Sequence, residues 1–432
     1  MLLHQVKLPH FKHSAESETV KLPMPDKVVI SMAQHLGAPC TPTVKGGDKV
    51  KIGDVIGSSE AAMSAPVHSS ISGTVTAITD VLHISGRNMQ SVVIENDGLE
   101  QISDSVCPPT VENREQFLQA VRNSGSIGLG GAGFPTSLKL GFDPKEKQPD
   151  FLIINGAECE PYITSDYRCF MEEGEDVLEG VLLMLKYLGI PKCVIGIEKN
   201  KPKAIEKMTR LCEKHDNITV KPLKSSYPQG AEKTLIFSTT GRVVKEGTLP
   251  IASGCIVVNS STAAFIAQYI RTGMPLVKRR ITVDGNIVKK PSNFIVPVGM
   301  SIGEIVYYAE LSDKPDRIIL GGPMMGACAF DPDYPLSKTN NAVLMFADSP
   351  VYEPSDCIRC GKCVKACSMN LLPTELEHAF DMRDARQLEK LKVNLCVNCG
   401  ACSFVCPAKR NLAEKNQLAK AFLRERSTRK GK

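Results

Sequence analysis

The sequence predicts a multidomain chain that runs from an all-β start through an α/β middle to a small, helical, cysteine-rich end. Three observations predict it. Short alternating runs of Val, Ile, Thr and Gly fill the first hundred residues, strand–helix alternation begins near Val111, and one cysteine spacing occurs twice beyond residue 350. The length of 432 residues is more than a single hydrophobic core supports. Composition is that of a globular protein, with no Trp and a formal charge of +5.

Residues 1–105 form the first expected domain. Gly47-Asp48-Lys49-Val50 with Gly53-Asp54-Val55-Ile56, and Ala65-Pro66-Val67-His68 with Ser72-Gly73-Thr74-Val75, resemble the barrel-sandwich fold of biotinyl and lipoyl carriers. Such carriers present a modified Lys at a hairpin tip. No Lys lies between Val75 and Val92, and the tip reads Gly86-Arg87-Asn88-Met89, so this domain is expected to be structural. Residues 111–272 alternate apolar strands (151–154, 193–197, 255–258) with helices whose apolar positions follow a 3.6 period: Val177, Val181, Leu185 and Leu188, then Ala204, Met208 and Leu211. That alternation implies a largely parallel sheet. Residues 275–330 carry a hairpin over 280–288 with its turn centred on Asp284-Gly285, a helix over 302–310 and a strand over 318–320, compatible with a small β-grasp unit. Residues 350–432 read as helices between cysteine loops.

The repeated spacing is Cys357-x2-Cys360-x2-Cys363-x3-Cys367 and Cys396-x2-Cys399-x2-Cys402-x3-Cys406, the second followed by Pro407. A cubane iron–sulfur cluster needs four thiolates around a small volume. Three cysteines two residues apart wrap one cluster, and the fourth points to the other. The spacing therefore assigns Cys357, Cys360, Cys363 and Cys406 to one [4Fe–4S] centre, and Cys396, Cys399, Cys402 and Cys367 to the second. Structural zinc sites use two close pairs and leave no third cysteine in step.

Two further stretches point to a ligand site. In Ile127-Gly128-Leu129-Gly130-Gly131-Ala132-Gly133-Phe134-Pro135, four glycines in six residues remove the Cβ atoms that hold backbone away from a flat or phosphorylated ligand. Free N–H groups there suit phosphate, and Lys139 adds charge. Asn155-Gly156-Ala157-Glu158-Cys159-Glu160-Pro161 follows an apolar strand, where parallel α/β folds bind ligands. Asn155 suits a pyrimidine-like edge.

Together the two stretches resemble the flavin and NADH site of the complex I flavoprotein subunit. With Tyr227-Pro228-Gln229-Gly230-Ala231-Glu232-Lys233, Gly321-Gly322-Pro323-Met324-Met325-Gly326 and the cysteine repeat, nearly the whole chain resembles the C subunits of Rnf-type ion-translocating ferredoxin:NAD oxidoreductases. The resemblance implies FMN on the loop of Gly128, Gly130, Gly131, Gly133 and Lys139, with Asn155 and Glu158 at the ring or ribityl chain. It implies Glu160 near the nicotinamide end of NAD(H), Glu232 and Asn259 in the same pocket, and no side chain acting as a covalent catalyst. Complex I relatives have Asp where this chain has Ala157, so one flavin contact is absent or replaced. Cobalamin-reductase-like flavoproteins share the domain order, and a relay subunit without a nucleotide site is the third reading, favoured only by Ala157.

The resemblance also implies the other subunits of a membrane complex as partners, with ferredoxin reached indirectly. No apolar run spans a bilayer: the run at 177–190 is broken by Glu179 and Lys186. The N-terminus MLLHQVKLPHFKHS lacks a signal-peptide core, so a peripheral place on the cytoplasmic face is expected. The eight cysteines outside the repeat are scattered, as free thiols of a reducing compartment are. From Pro407 onward nine Lys or Arg face Glu414 and Glu425, a local charge of +7 against about −2 elsewhere. This tail suits anionic lipid or an acidic partner. Nucleic acid is not expected, because no aromatic platform accompanies the charges.

Overall fold

A computed structural model describes residues 4–430. Met1–Leu3 of the N-terminus and Lys432 of the basic tail lie outside the described residues.

The N-terminal β unit packs an antiparallel sheet of Lys27–Ser31, Asn88–Asn96, Gly73–Leu82 and Lys49–Val50 against a smaller one of Thr41–Pro42, Val55–Ser58 and Val67–His68. Alternation places Val28 and Ile30 beside Val92 and Ile94 in the core, with Ile56, Val67 and Val75 from the facing strands. The tip, residues 83–87, closes on the hydrogen bond from His83 N–H to the Arg87 carbonyl (2.9 Å).

In the middle unit four parallel strands stand in the order Ile218–Leu223, Lys192–Glu198, Phe151–Gly156, Cys255–Asn259. Both faces are covered, which is why the strands read as unbroken apolar runs. Helices Ser165–Leu188 and Pro202–Cys212 line one face through Val177, Val181 and Met208, and helix Ser260–Thr272 joins them through Ala263 and Ile266. Helix Glu232–Thr240 covers the other through Leu235 and Ile236. Helices Ser165–Leu188 and Ser260–Thr272 meet at Gly180, where any Cβ would overlap the Ala263 carbonyl.

The third sheet has the order Thr19–Lys21, Ser292–Pro297, Lys278–Gly285, Ala342–Phe346, Arg317–Leu320, Ala327–Cys328. Helix Ile302–Tyr307 begins in a capping box of Ser301 and Glu304. Two elements come from outside residues 275–330: the N-terminal Thr19–Lys21, parallel to Ser292–Pro297, and Ala342–Phe346, parallel to Lys278–Gly285. One sequence expectation is corrected here. Asp284-Gly285 is not the hairpin turn; it ends the strand Lys278–Gly285 and pairs with Leu344 and Met345. The glycine is needed because a Cβ at 285 would strike the Met345 carbonyl.

The last unit gathers helices Pro373–Asp381, Ala385–Lys390 and Leu412–Lys430 around Leu376, Phe380, Leu388, Val393, Ala419 and Leu423. The cysteine repeat is also a backbone repeat. Arg359 and Gly361 in one motif, and Asn398 and Gly400 in the other, take positive φ at the same offsets from their cysteines.

Gly180→Ala is expected to destabilise the middle unit by about 1–3 kcal/mol, the usual cost of overpacking a tight contact. Denaturant unfolding followed by circular dichroism should show it, while the iron content of the cysteine-rich unit stays unchanged.

Candidate functional site

Strand Phe151–Gly156 continues to Lys192–Glu198 on one side, whereas Cys255–Asn259 joins it on the other. The order therefore reverses between Phe151–Gly156 and Cys255–Asn259, and the crevice outside their carboxyl ends is where such sheets take ligands. The glycine loop lies over it. The bridge between Ile127 and Pro135 and the bond from Gly128 N–H to the Phe134 carbonyl (2.8 Å) pinch its base. Leu129 N–H donates to Thr262 Oγ1 (3.1 Å), and Arg279 Nη2 donates to the Leu129 carbonyl (3.2 Å). Gly130 faces Asn259, Gly133 packs on Thr339, and Gly131, at φ 113°, faces open space. Lys139 Nζ reaches the same strand ends, donating to the Val257 carbonyl and to Glu232 Oε1, both at 3.1 Å.

Beyond Gly156 the strand stops, and residues 157–163 form a loop held from inside by Lys12. Its ammonium donates to the carbonyls of Glu158 (3.0 Å), Glu160 (2.8 Å) and Ile163. Burial lowers its pKa to about 8, against the pull of the Glu158 charge. Glu158 turns into the crevice side. Its Oε1 accepts from Asp166 N–H (2.8 Å) and Ser165 Oγ (3.4 Å), while Oε2 is buried with no partner among the described residues. Burial pushes its pKa up to about 7, with Lys12 opposing. Asp166, raised by burial, accepts from Asn259 Nδ2 (2.8 Å) and Ser261 Oγ (2.9 Å).

Eight of the ten residues expected at the flavin site therefore gather around the crevice: Gly128, Gly130, Gly131, Gly133, Lys139, Glu158, Glu232 and Asn259. Asn155 stands at the strand end, but its amide is engaged by the Gly230 carbonyl (3.0 Å) and Ala157 N–H (3.1 Å). These bonds shape the loop. Glu160 faces away from the glycine loop, accepting from Met324 N–H (3.0 Å) and lying 3.3 Å from Tyr227 Oη. Burial lifts its pKa to about 7, and these two contacts oppose the shift. Sequence reasoning missed Lys12 and Asp166. Neither sits in a motif, although an acid in the first turn of helix Ser165–Leu188 is where the helix dipole favours one.

The cysteines separate into two groups. Cys357, Cys360, Cys363 and Cys406 line an open cavity of about 570 Å³ with Arg359, Gly361 and Glu377. Cys367, Cys396, Cys399 and Cys402 line a tighter one of about 20 Å³. The last thiol of each motif thus crosses to the other group. Among the described residues no three His, Cys, Asp or Glu groups converge on a point for one metal ion; each quartet instead lines a cavity, and four thiolates about one volume are the ligand set of a cubane. Backbone N–H groups face the sulfurs, as at Leu371 N–H to Cys367 Sγ (3.3 Å) and Arg359 N–H to Cys357 Sγ (3.4 Å). The second quartet abuts the middle unit, for Tyr227 Oη donates to the Cys399 carbonyl at 2.6 Å.

The basic tail is less free than its charge suggested. Arg410 pairs with Glu377 (2.8 Å), Lys415 with Asp381, Lys420 Nζ donates to the Cys396 carbonyl (2.9 Å), and Lys409 sits over the Tyr352 ring. Among the described residues no helix is long and apolar enough to cross a membrane.

Residues 3–99 match the RnfC barrel sandwich hybrid domain, residues 121–268 the Nuo51 FMN-binding domain and residues 356–410 the 4Fe-4S dicluster domain. The chain is 41% identical to the C subunit of the Na(+)-translocating ferredoxin:NAD(+) oxidoreductase complex of Acetobacterium woodii, over 82% of this chain and 81% of that one. It is 39% identical to the proton-translocating counterpart of Clostridium ljungdahlii (89% and 85%) and 35% identical to the C subunit of the ion-translocating oxidoreductase complex of Rhodobacter capsulatus (99% and 83%). Among solved structures, an NAD+-reducing [NiFe]-hydrogenase in the H2-reduced state shares the fold, with a TM-score of 0.51 at 20% identity over 72% of this chain and 63% of that chain. Identity at this level over most of the length decides the family: the chain belongs to the C subunits of Rnf-type ion-translocating oxidoreductase complexes.

Proposed function

We propose that the crevice holds FMN and receives NAD(H), and that the two cysteine quartets hold [4Fe–4S] clusters, making this chain the NAD(H)-facing part of its complex. As a member of its family it is an electron-transfer subunit of an ion-translocating ferredoxin:NAD oxidoreductase. The observation that carries the finer reading is the buried, unpartnered Glu158 Oε2 beside an open glycine loop at the sheet's switch point. A buried acceptor without a donor is costly, and a ribityl hydroxyl is a donor of the right kind. FMN, when bound, exchanges electron pairs with NAD(H) and single electrons with iron–sulfur centres.

Around it the chain's own residues bind and orient. Gly131 leaves room for a flat ring or phosphate. Lys139 brings positive charge to the strand ends and is itself steadied by Glu232. Asn259 caps helix Ser260–Thr272 through Ser261 N–H (3.0 Å) and holds Asp166 with its other end, and Asn155 keeps the loop turn in place. Glu158 and Asp166 supply the acidic character that Ala157 lacks. Glu160 belongs to the cluster side of the loop, where it can still border the nicotinamide end.

The domain limits we assign are 1–105, 111–272, 275–330 and 350–432. A β-grasp reading of the third is supported by its hairpin, the helix that follows, and the parallel pairing of Lys278–Gly285 with Ala342–Phe346. Partners are the other subunits of the complex, with ferredoxin reached through them, and the place is the cytoplasmic face, where NAD(H) is available.

Anaerobic titration of the iron-loaded protein with NADH should bleach both flavin and cluster absorbance; no bleaching in flavin-replete protein sinks the proposal. Gly131→Ala adds a methyl in the open crevice and strains a positive φ by about 1–2 kcal/mol. It should lower flavin occupancy about tenfold with the fold retained, read by fluorescence of released flavin. Cys360→Ser should lose about half the iron, as expected when one of two cubanes is lost. Adding Cys406→Ser should remove little more, whereas adding Cys367→Ser should remove most of the rest. Equal losses in both double variants would refute the crossed ligand assignment.

A further inference from the structure

We propose that Tyr227 is a positioning residue that docks the 396–402 loop on the middle unit and thereby favours the reduced state of the cluster held by Cys367, Cys396, Cys399 and Cys402. The inference rests on the reading of both quartets as cluster ligands. Tyr227 is 1% exposed. Its backbone is held on both sides by a bridge to Val6, with Tyr227 N–H donating to the Val6 carbonyl (2.8 Å) and Val6 N–H returning a bond (2.9 Å). The ring is therefore fixed before the hydroxyl makes any contact.

The hydroxyl has one proton and two oxygen neighbours. The Cys399 carbonyl stands at 2.6 Å and Glu160 Oε1 at 3.3 Å. The short contact takes the proton, so the phenol donates to the cluster loop, and Glu160 Oε1 is the longer, competing acceptor. Glu160 is itself fixed by Met324 N–H, and the Gly322 backbone packs on its carboxyl. A second contact of the same loop is independent of the hydroxyl: a Cβ at Gly400 would stand 2.7 Å from the Met324 carbonyl, so only glycine fits there. Leu8, Ala366, Ala401 and Val405 close the joint with apolar surface. The Cys357–Cys360 loop has no such dock, for all of residues 351–360 are exposed.

The positive end of the Oη–H dipole points at the loop in a dry, low-dielectric joint, where such dipoles act strongly. Added negative charge on the cluster is favoured by it, as hydrogen bonding and burial generally set cluster potentials. Loss of one such bond shifts an equilibrium about three- to tenfold.

The test uses the full-length, anaerobically loaded protein, poised with dithionite and mediators and read by spin resonance. Tyr227→Phe should shift the cluster of the second quartet about three- to tenfold toward its oxidised form at a fixed poise, and leave the cluster of the first quartet unmoved. A Cys360→Ser background, which retains only the second cluster, identifies the signal. Selective iron loss from the second quartet in Tyr227→Phe would equally support docking. Equal shifts in both clusters, no shift in either, or iron loss from both would overturn it. Dithionite needs neither flavin nor NADH, so a chain that NADH cannot reduce defeats the proposed function while leaving this result readable. Full iron retention in Cys360→Ser would instead defeat the ligand assignment on which it rests.

Discussion

The loop that follows strand Phe151–Gly156 leaves the sheet with its carbonyls turned inward, and the Lys12 ammonium gathers three of them, from Glu158, Glu160 and Ile163. An enclosed cation loses several kcal/mol of hydration unless charge and hydrogen bonds replace it. Here the carbonyls do so together with Glu158, while a second buried pair, Lys201 with Glu198 at 2.8 Å, stands beside them. The carboxylates of this loop reach toward both candidate sites. One of its carboxylates faces the crevice and the other faces Tyr227, two residues along the chain. A strand at this point would put Glu158 and Glu160 on the same face, would use its carbonyls in the ladder, and could not bend to carry Glu160 to the cluster unit. The loop permits that, and Lys12 makes the loop affordable.

Lys12 comes from the segment that precedes the first barrel strands, and the same segment ties the units together. Val6 pairs with Tyr227, Ser14 Oγ meets Thr164 Oγ1 at 2.7 Å, His13 Nδ1 meets the buried Asp284 at 2.9 Å, and Thr19–Lys21 extends the third sheet. A chain that folded as four separate beads would have no reason to thread its first twenty residues through two other units. The arrangement implies that the middle and third units require the N-terminal segment for their native contacts, so domain limits drawn from sequence pattern separate parts that are not energetically independent.

What was legible in the sequence follows from where the constraint lies. Cluster ligation constrains spacing within ten residues, so the division of the cysteines into two cavity-lining groups, with Cys367 and Cys406 exchanged, could be read from the spacing. Burial on both faces of a parallel sheet leaves unbroken apolar runs, so the middle unit could be read too. Side-chain partners distant in sequence leave no such trace. Asn155 and Asn259 were legible by position, but their hydrogen bonds to the Gly230 carbonyl and to Asp166, 75 and 93 residues away, were not. Asp284-Gly285 reads locally as a turn, yet the glycine serves a strand some sixty residues later. The free acceptor at Glu158 was equally invisible, because an absent partner is a property of packing and not of pattern.

The two quartets differ in their surroundings. One is enclosed against Tyr227, Met324 and the tail residue Lys420; the other opens on exposed backbone with Glu375, Glu377 and Asp381 along its rim. Water and acidic side chains act oppositely on an added electron, the first stabilising it and the second opposing it, while the enclosed site depends on fixed dipoles. The Glu160–Tyr227–Cys399 contacts join the loop that follows strand Phe151–Gly156 to the enclosed quartet, and no comparable contact joins that loop to the open one among the described residues. The buried dock therefore suits transfer within the chain, where water would add reorganisation, and the exposed loop suits exchange with a partner, where access is the requirement. Tail residues Arg410 and Lys415, paired with Glu377 and Asp381, reduce the acidic field on that rim without closing it. Part of the tail's charge thus acts within the chain, Arg410 and Lys415 at the open site and Lys420 at the enclosed one.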